Sequence, residues 1–95
     1  MNIEELFNVI EERIKNKSKN SYTNKLIKLG PKKIAQKFGE EATELVIDYL
    51  KGSKKRTIEE ASDLIYHMLV LLYSKKINLE DIKKELKKRE DVQQK

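Results

Sequence analysis

Apolar residues recur along this chain at intervals of three and four, in five runs. Ile3, Leu6, Phe7, Ile10 and Ile14 line up on one face of a helix over 3–16, with Glu4, Glu5, Glu11 and Glu12 on the other. The stretch 15–24, KNKSKNSYTN, has no apolar period and is rich in turn formers, which predicts a polar connector. A short helix over 22–29 carries Leu26, Ile27 and Leu29. Gly30 stops it and Pro31 opens the next, the residue types favoured at those two places. The third helix, 31–51, has a stripe of Ile34, Phe38, Leu45, Tyr49 and Leu50, flanked by Ala35, Ala42 and Val46. Gly39 inside it costs about 1 kcal/mol relative to Ala, which predicts a packing or site reason for it. Gly52 closes that helix, 52–56 is the predicted loop, and Thr57 caps a fourth helix over 58–75. Asn78 caps a last one over 79–90, with Leu79, Ile82 and Leu86 inward and Lys83, Lys84, Lys87 and Lys88 outward; residues 91–95 read as a frayed tail.

The fourth helix departs from the amphipathic pattern. From Leu64 to Tyr73 only His67 is polar. Such a run is too short for a bilayer, which needs about 20 residues. A helix apolar all round is buried all round, yet a 95-residue chain has few elements to surround it. The predicted fold is therefore an all-α bundle of four to five helices, a single domain over 1–95. Oligomerisation completes it, with helix 58–75 at the centre of a dimer or a multiple of dimers.

Composition narrows the chemistry. Charged residues make up 39% and apolar residues 38%, against a usual charged share of about 25%, so the core is thin. The absence of Cys excludes a disulfide framework, a thiolate metal site and a cysteine nucleophile, and a single His excludes multi-His zinc sites. One Pro and three Gly are too few for a turn-rich all-β domain. The amphipathic, acidic start does not read as a secretion signal, which makes the cytoplasm the expected location.

Two acidic clusters then stand out. Glu40, Glu41 and Glu44 fall within about 60° of Glu44 on a helix turning about 100° per residue. Glu59, Glu60 and Asp63 form the second cluster, with Glu60 and Asp63 again three apart. Fifteen residues lie between Glu44 and Glu60, a spacing that lets two antiparallel helices bring the pairs face to face. Gathered carboxylates repel and call for a cation; all-oxygen ligands suit Mg²⁺ or Mn²⁺, and Mg²⁺ commonly bridges carboxylates to substrate phosphates. The plain alternative is a solvated charged face, with Glu60 closing a capping box on Thr57. Against it, Glu41 lies between Phe38 and Leu45 on the inner arc, and Asp63 directly precedes the apolar run.

The basic residues Arg13, Lys15, Lys17, Lys19, Lys25, Lys28, Lys32, Lys33 and Lys37 fill 13–37 with no acid among them. Most read as solubilising. Lys37, three residues before Glu40, is placed to hold a phosphate. Ser21, Tyr22 and Thr23 offer hydroxyls at the start of the second helix, where N–H groups favour anions, or simply cap it. His67 follows Asp63 by one turn and reads as a core histidine before it reads as a base.

The order E-E-x-x-E at Glu40, Glu41 and Glu44, then E-x-x-D at Glu60 and Asp63, resembles the metal-binding signature of the MazG-like all-α NTP pyrophosphatases. SYTNKL at 21–26, IAQKFGEEATE at 34–44 and EEASDLIYHMLVLL at 59–72 together resemble the phosphoribosyl-ATP pyrophosphohydrolase family of histidine biosynthesis. The resemblance covers about residues 3–89. It implies a Mg²⁺-dependent cut between the α and β phosphates of phosphoribosyl-ATP, giving phosphoribosyl-AMP and pyrophosphate, the second step of histidine biosynthesis. Glu41, Glu44, Glu60 and Asp63 would hold the metal, Glu40 would orient the attacking water, and Lys37 and Lys25 would hold phosphate oxygens. A house-cleaning nucleotide pyrophosphatase would share these carboxylates and differ in base recognition. A basic nucleic-acid-binding domain explains the 13–37 lysines but leaves the inward acids unexplained, so neither nucleic acid nor membrane is an expected partner.

Overall fold

The computed structural model describes residues 1–16 and 21–92. Five helices follow one another: α1 (Ile3–Asn16), α2 (Tyr22–Leu29), α3 (Pro31–Lys51), α4 (Lys54–Ser74) and α5 (Leu79–Val92). No strand occurs among the described residues. Lys17 and Lys19 of the basic connector lie outside them, as does the tail from residue 93.

Local side chains start most of these helices. Asn2 and Glu5 exchange hydrogen bonds at the head of α1, of 2.9 and 2.7 Å. Asn78 and Asp81 do the same for α5. Each pair satisfies donors that the first helical turn leaves without partners. Gly30 ends α2 with φ at +93°, a conformation that side chains resist, and its carbonyl accepts from Ile34 N–H to open α3.

α3 and α4 form the antiparallel hairpin around which the rest packs. Their connection is shorter than the predicted loop. Ser53 Oγ accepts from the N–H of Arg56 at 3.0 Å and starts α4 at Lys54, four residues early. Gly52 fits this tight turn because a Cβ there would lie 2.7 Å from Asp48 Oδ1. Thr57 does not cap α4. It sits in the first turn and donates to the carbonyls of Asp48, at 3.2 Å, and Ser53, at 2.9 Å.

The core is small and aliphatic. Phe7 and Ile10 of α1, Leu26 of α2, Ile34 of α3, and Leu69 and Val70 of α4 are buried, and Phe7 meets Tyr73 edge-on at 6.1 Å. Full burial of each such side chain stabilises by about 1.5–3 kcal/mol. Two apolar expectations are corrected. Leu86 of α5 is 60% exposed, because α5 is tied down mainly at its start, through Leu79 and the Lys83–Glu4 ion pair of 3.1 Å. The α3 stripe leaves the core after Ile34: Phe38 and Leu45 are only partly buried, and Val46, Ile47, Tyr49 and Leu50 are all more than half exposed, as is Ile58 across the turn. Among the described residues, no helix is long and apolar enough to cross a membrane.

Candidate active site

The hairpin brings acids from both of its helices together. Glu41 of α3 and Glu60 and Asp63 of α4 each present an oxygen within 4.8 Å of the others. Two helices are needed because one helix face offers only i, i+3 and i+4 neighbours. Glu44, one turn along α3, approaches Glu60 as well.

Glu60 is the buried member, with 4% of its surface exposed. Its Oε1 accepts from Arg56 Nη2 at 2.9 Å, while its Oε2 is buried without a hydrogen-bond partner. A buried carboxylate oxygen left unpaired is costly. Burial pushes the Glu60 carboxyl up, the neighbouring Glu44 and Glu41 push it further, and Arg56 opposes them, leaving it at about 7. A hard divalent cation fits this donor set. All the donors are carboxylate oxygens, they repel one another without a counter-charge, and the buried Glu60 Oε2 has no hydrogen-bond partner.

The sequence reading missed Arg56. It falls inside the predicted loop, and with α4 starting early it lies one turn before Glu60. It also pairs with Glu59 at 3.2 Å and Asp48 at 3.7 Å. Glu59 is thereby held outside the carboxylate group.

Glu40 stands apart on the outer side of α3. It accepts from Gln36 at 2.9 Å and pairs with Lys37 at 3.5 Å, and these contacts, Gln36 first, lower its pKa. It shares an open groove with Gln36, Gly39, Thr43 and Glu44. A Cβ at Gly39 would meet nothing within 4 Å, so the expected packing reason for this glycine is not found in a single chain. Lys37 is half-buried and its pKa is raised, chiefly by charge interaction with the ionised form of Tyr22, with Glu40 and Glu41 adding to the effect.

The hydroxyls at 21–23 divide by role. Ser21 accepts from Asn24 N–H as the cap of α2, and buried Thr23 is bonded to Tyr66. Tyr22 is 46% exposed and lies 3.1 Å from His67 Nε2. His67 bonds the backbone carbonyl of Asp63, at 2.8 Å from Nδ1, rather than the Asp63 carboxylate. Lys25 is exposed on α2. A separate cavity of about 540 Å³, lined by Phe7, Glu11, Ile14, Ile34 and Tyr73 among others, opens at the other end of the hairpin.

An all-α hairpin with acids facing one another from two helices agrees with the MazG-like pyrophosphatase superfamily, the class to which the matching family belongs. Within that class, the profile described as phosphoribosyl-ATP pyrophosphohydrolase matches residues 3–90, and the chain belongs to that family. It is 51% identical over 87 residues to a phosphoribosyl-ATP pyrophosphatase of Clostridium novyi, covering 92% of this chain and 79% of the relative. It is 46% identical over 87 residues to one of Sulfolobus acidocaldarius, covering 92% of each. It is also 46% identical over 89 residues to the histidine biosynthesis bifunctional protein HisIE of Bacteroides thetaiotaomicron, 94% of this chain and 44% of that one.

Proposed function

We propose that this protein hydrolyses phosphoribosyl-ATP to phosphoribosyl-AMP and pyrophosphate in histidine biosynthesis. The observation that carries the reading is the convergence of Glu41, Glu60 and Asp63, with the Oε2 of Glu60 buried and unpaired, in a chain of this family. Glu41, Glu44, Glu60 and Asp63 would hold Mg²⁺, with Mn²⁺ as a substitute. When bound, the ion supplies charge neutralisation to the triphosphate and polarises its phosphoryl oxygens.

The chain's own groups do the rest. Arg56 occupies the Oε1 of Glu60, which leaves the buried Oε2 free to be a ligand. Glu40, kept ionised by Gln36 and Lys37, would orient a water outside the ligand group. The water oxygen forms the new bond to the α phosphorus, the bond to the bridging oxygen breaks, and pyrophosphate leaves with that oxygen. The water's proton passes to a carboxylate and then to solvent. Lys37, with Lys25 as a second cation, offsets phosphate charge. No covalent nucleophile is needed, since such transfers depend mainly on positioning and charge.

The same reading places the protein in the cytoplasm and makes it a homo-oligomer, in the simplest case a dimer, because of the apolar surface on the hairpin. The test is chromatography of phosphoribosyl-ATP incubated with the protein, with and without Mg²⁺. Release of phosphoribosyl-AMP and pyrophosphate only with the metal is the expected result. Comparable turnover of ordinary deoxynucleoside triphosphates would replace this reading with the house-cleaning one.

A further inference from the structure

Arg56 sits where three carboxylates meet. Its Nη2 lies 2.9 Å from Glu60 Oε1 and 3.7 Å from Asp48 Oδ2, and its Nη1 lies 3.2 Å from Glu59 Oε1. A guanidinium is planar, carries five N–H donors in a fixed fork and stays charged at any working pH. Asp48 holds this fork from α3 and Glu59 holds it from α4, so it stays on Glu60. The two oxygens of Glu60 are therefore in different situations. Oε1 is taken by a cation of the chain itself, while Oε2 is buried with no partner.

We propose that Arg56 is a positioning residue that restricts Glu60 to one-oxygen ligation and thereby biases the site toward Mg²⁺ over Ca²⁺. A carboxylate can give a metal one oxygen or both. Ca²⁺ takes six to eight oxygens at about 2.3–2.6 Å and accepts both oxygens of one carboxylate. Mg²⁺ demands near-ideal octahedral geometry at about 2.0–2.1 Å and keeps several waters. With Oε1 committed to Arg56, Glu60 has a single oxygen to give. Glu41, Glu60 and Asp63 then supply one oxygen each, within 4.8 Å of one another, which leaves room for waters and phosphate oxygens. That count suits the smaller ion and leaves the larger one short of ligands. An arginine does this better than a lysine would, because an ammonium is a mobile point charge and cannot hold Glu59 and Glu60 together in one plane.

The proposal rests on the reading of these acids as a divalent-metal site, and its test uses metal ions without substrate. Mg²⁺ and Ca²⁺ are each competed against bound Mn²⁺, read from the EPR signal of free Mn²⁺, and the ratio of their dissociation constants is the quantity compared. Removing the arginine charge affects two ions of equal charge alike, so it cancels in that ratio. Arg56→Met should move the ratio toward Ca²⁺ about tenfold, the scale of losing a group that orients a metal ligand. The Arg56 side chain is 55% exposed in the first turn of α4, and Arg56→Ala should give the same shift. In a Glu60→Gln background the amide has a single oxygen, so Arg56→Met should add no further shift. An unchanged ratio in folded Arg56→Met and Arg56→Ala overturns the proposal, and so does a shift of equal size in the Glu60→Gln background. A parent protein that binds none of the three ions overturns the proposal and the metal reading together. One that binds them with the expected shift, yet leaves phosphoribosyl-ATP intact, sustains the role of Arg56 and sinks the substrate reading alone.

Discussion

A carboxyl buried among other carboxyls holds its proton more tightly, and Glu60 is in that position. Its folded value, about 7, lies above the unfolded one near 4.5. Between those values the folded state binds more protons than the unfolded one, so stability falls as pH rises through the window. Without metal, the protein should therefore melt lower at pH 7.5 than at pH 5. Glu60→Gln, which cannot ionise, should flatten that trend and be the more stable form in EDTA at pH 7.5. Calorimetric melts at both pH values check this, and a parent melt that rises with pH would contradict it. Mg²⁺ favours the ionised form, so the melting gain on adding it should grow over the same window. Asp63→Asn and Glu44→Gln keep shape and remove charge. Each should lower turnover on the order of 10²-fold, comparable to losing one charge-stabilising group, with the circular dichroism spectrum unchanged. Wild-type rates in both would place the site elsewhere. The acids were legible in the sequence because spacing alone puts Glu41 with Glu44 and Glu60 with Asp63 on single faces. The contact of Tyr22 with His67 was not, because the two lie 45 residues apart in the chain.

At the scale of elements, the starts and stops of α1, α2 and α3 follow from apolar spacing and from Gly30–Pro31. The start of α4 does not. Apolar spacing points to Thr57 as the cap, whereas Ser53, four residues earlier, does the capping, because Gly52 turns the chain closely against Asp48. That contact is set by how the chain turns out of α3, which apolar spacing does not report. The misplacement also hid Arg56, since a loop arginine has no i, i+4 partner while a helical one does. Ser53→Ala should cost about 1 kcal/mol through loss of the cap, and Thr57→Ala at the head of the sequence-predicted helix should cost less; urea melts of the two variants rank them. Gly39→Ala gives the opposite sign. Nothing lies within 4 Å of the added methyl, so helix propensity alone predicts a gain of about 1 kcal/mol. A loss instead would show that the groove beside Glu40 and Glu44 is closely occupied in the working enzyme.

At the scale of the whole molecule, the uneven burial of the hairpin is the feature left over. Sequence reading put α4 at the centre of an oligomer because it is apolar on every face. Within one chain, α1, α2 and α3 already bury Leu69, Val70 and His67. The uncovered apolar surface lies further along the hairpin, on Val46, Ile47, Tyr49 and Leu50 of α3 and Ile58 of α4, with Met68 38% exposed. Periodicity marks these positions as apolar but cannot say which chain covers them. Leaving several such side chains wet forfeits about 1.5–3 kcal/mol each, a large sum beside a total stability of about 5–15 kcal/mol. A second copy covering this face would recover that energy and enclose the nearby carboxylates. A charge on the uncovered face and a charge in the core should then fail differently. Ile47→Lys or Leu50→Lys should give a folded helical monomer of 11.2 kDa chains by light scattering, with a lower melting temperature. Leu69→Lys should unfold the chain outright, since that side chain is fully buried within it. The parent's melting temperature should rise with protein concentration, as mass action requires of an oligomer. A parent protein that is monomeric, folded and active at micromolar concentration would show that this face is not the one an assembly covers.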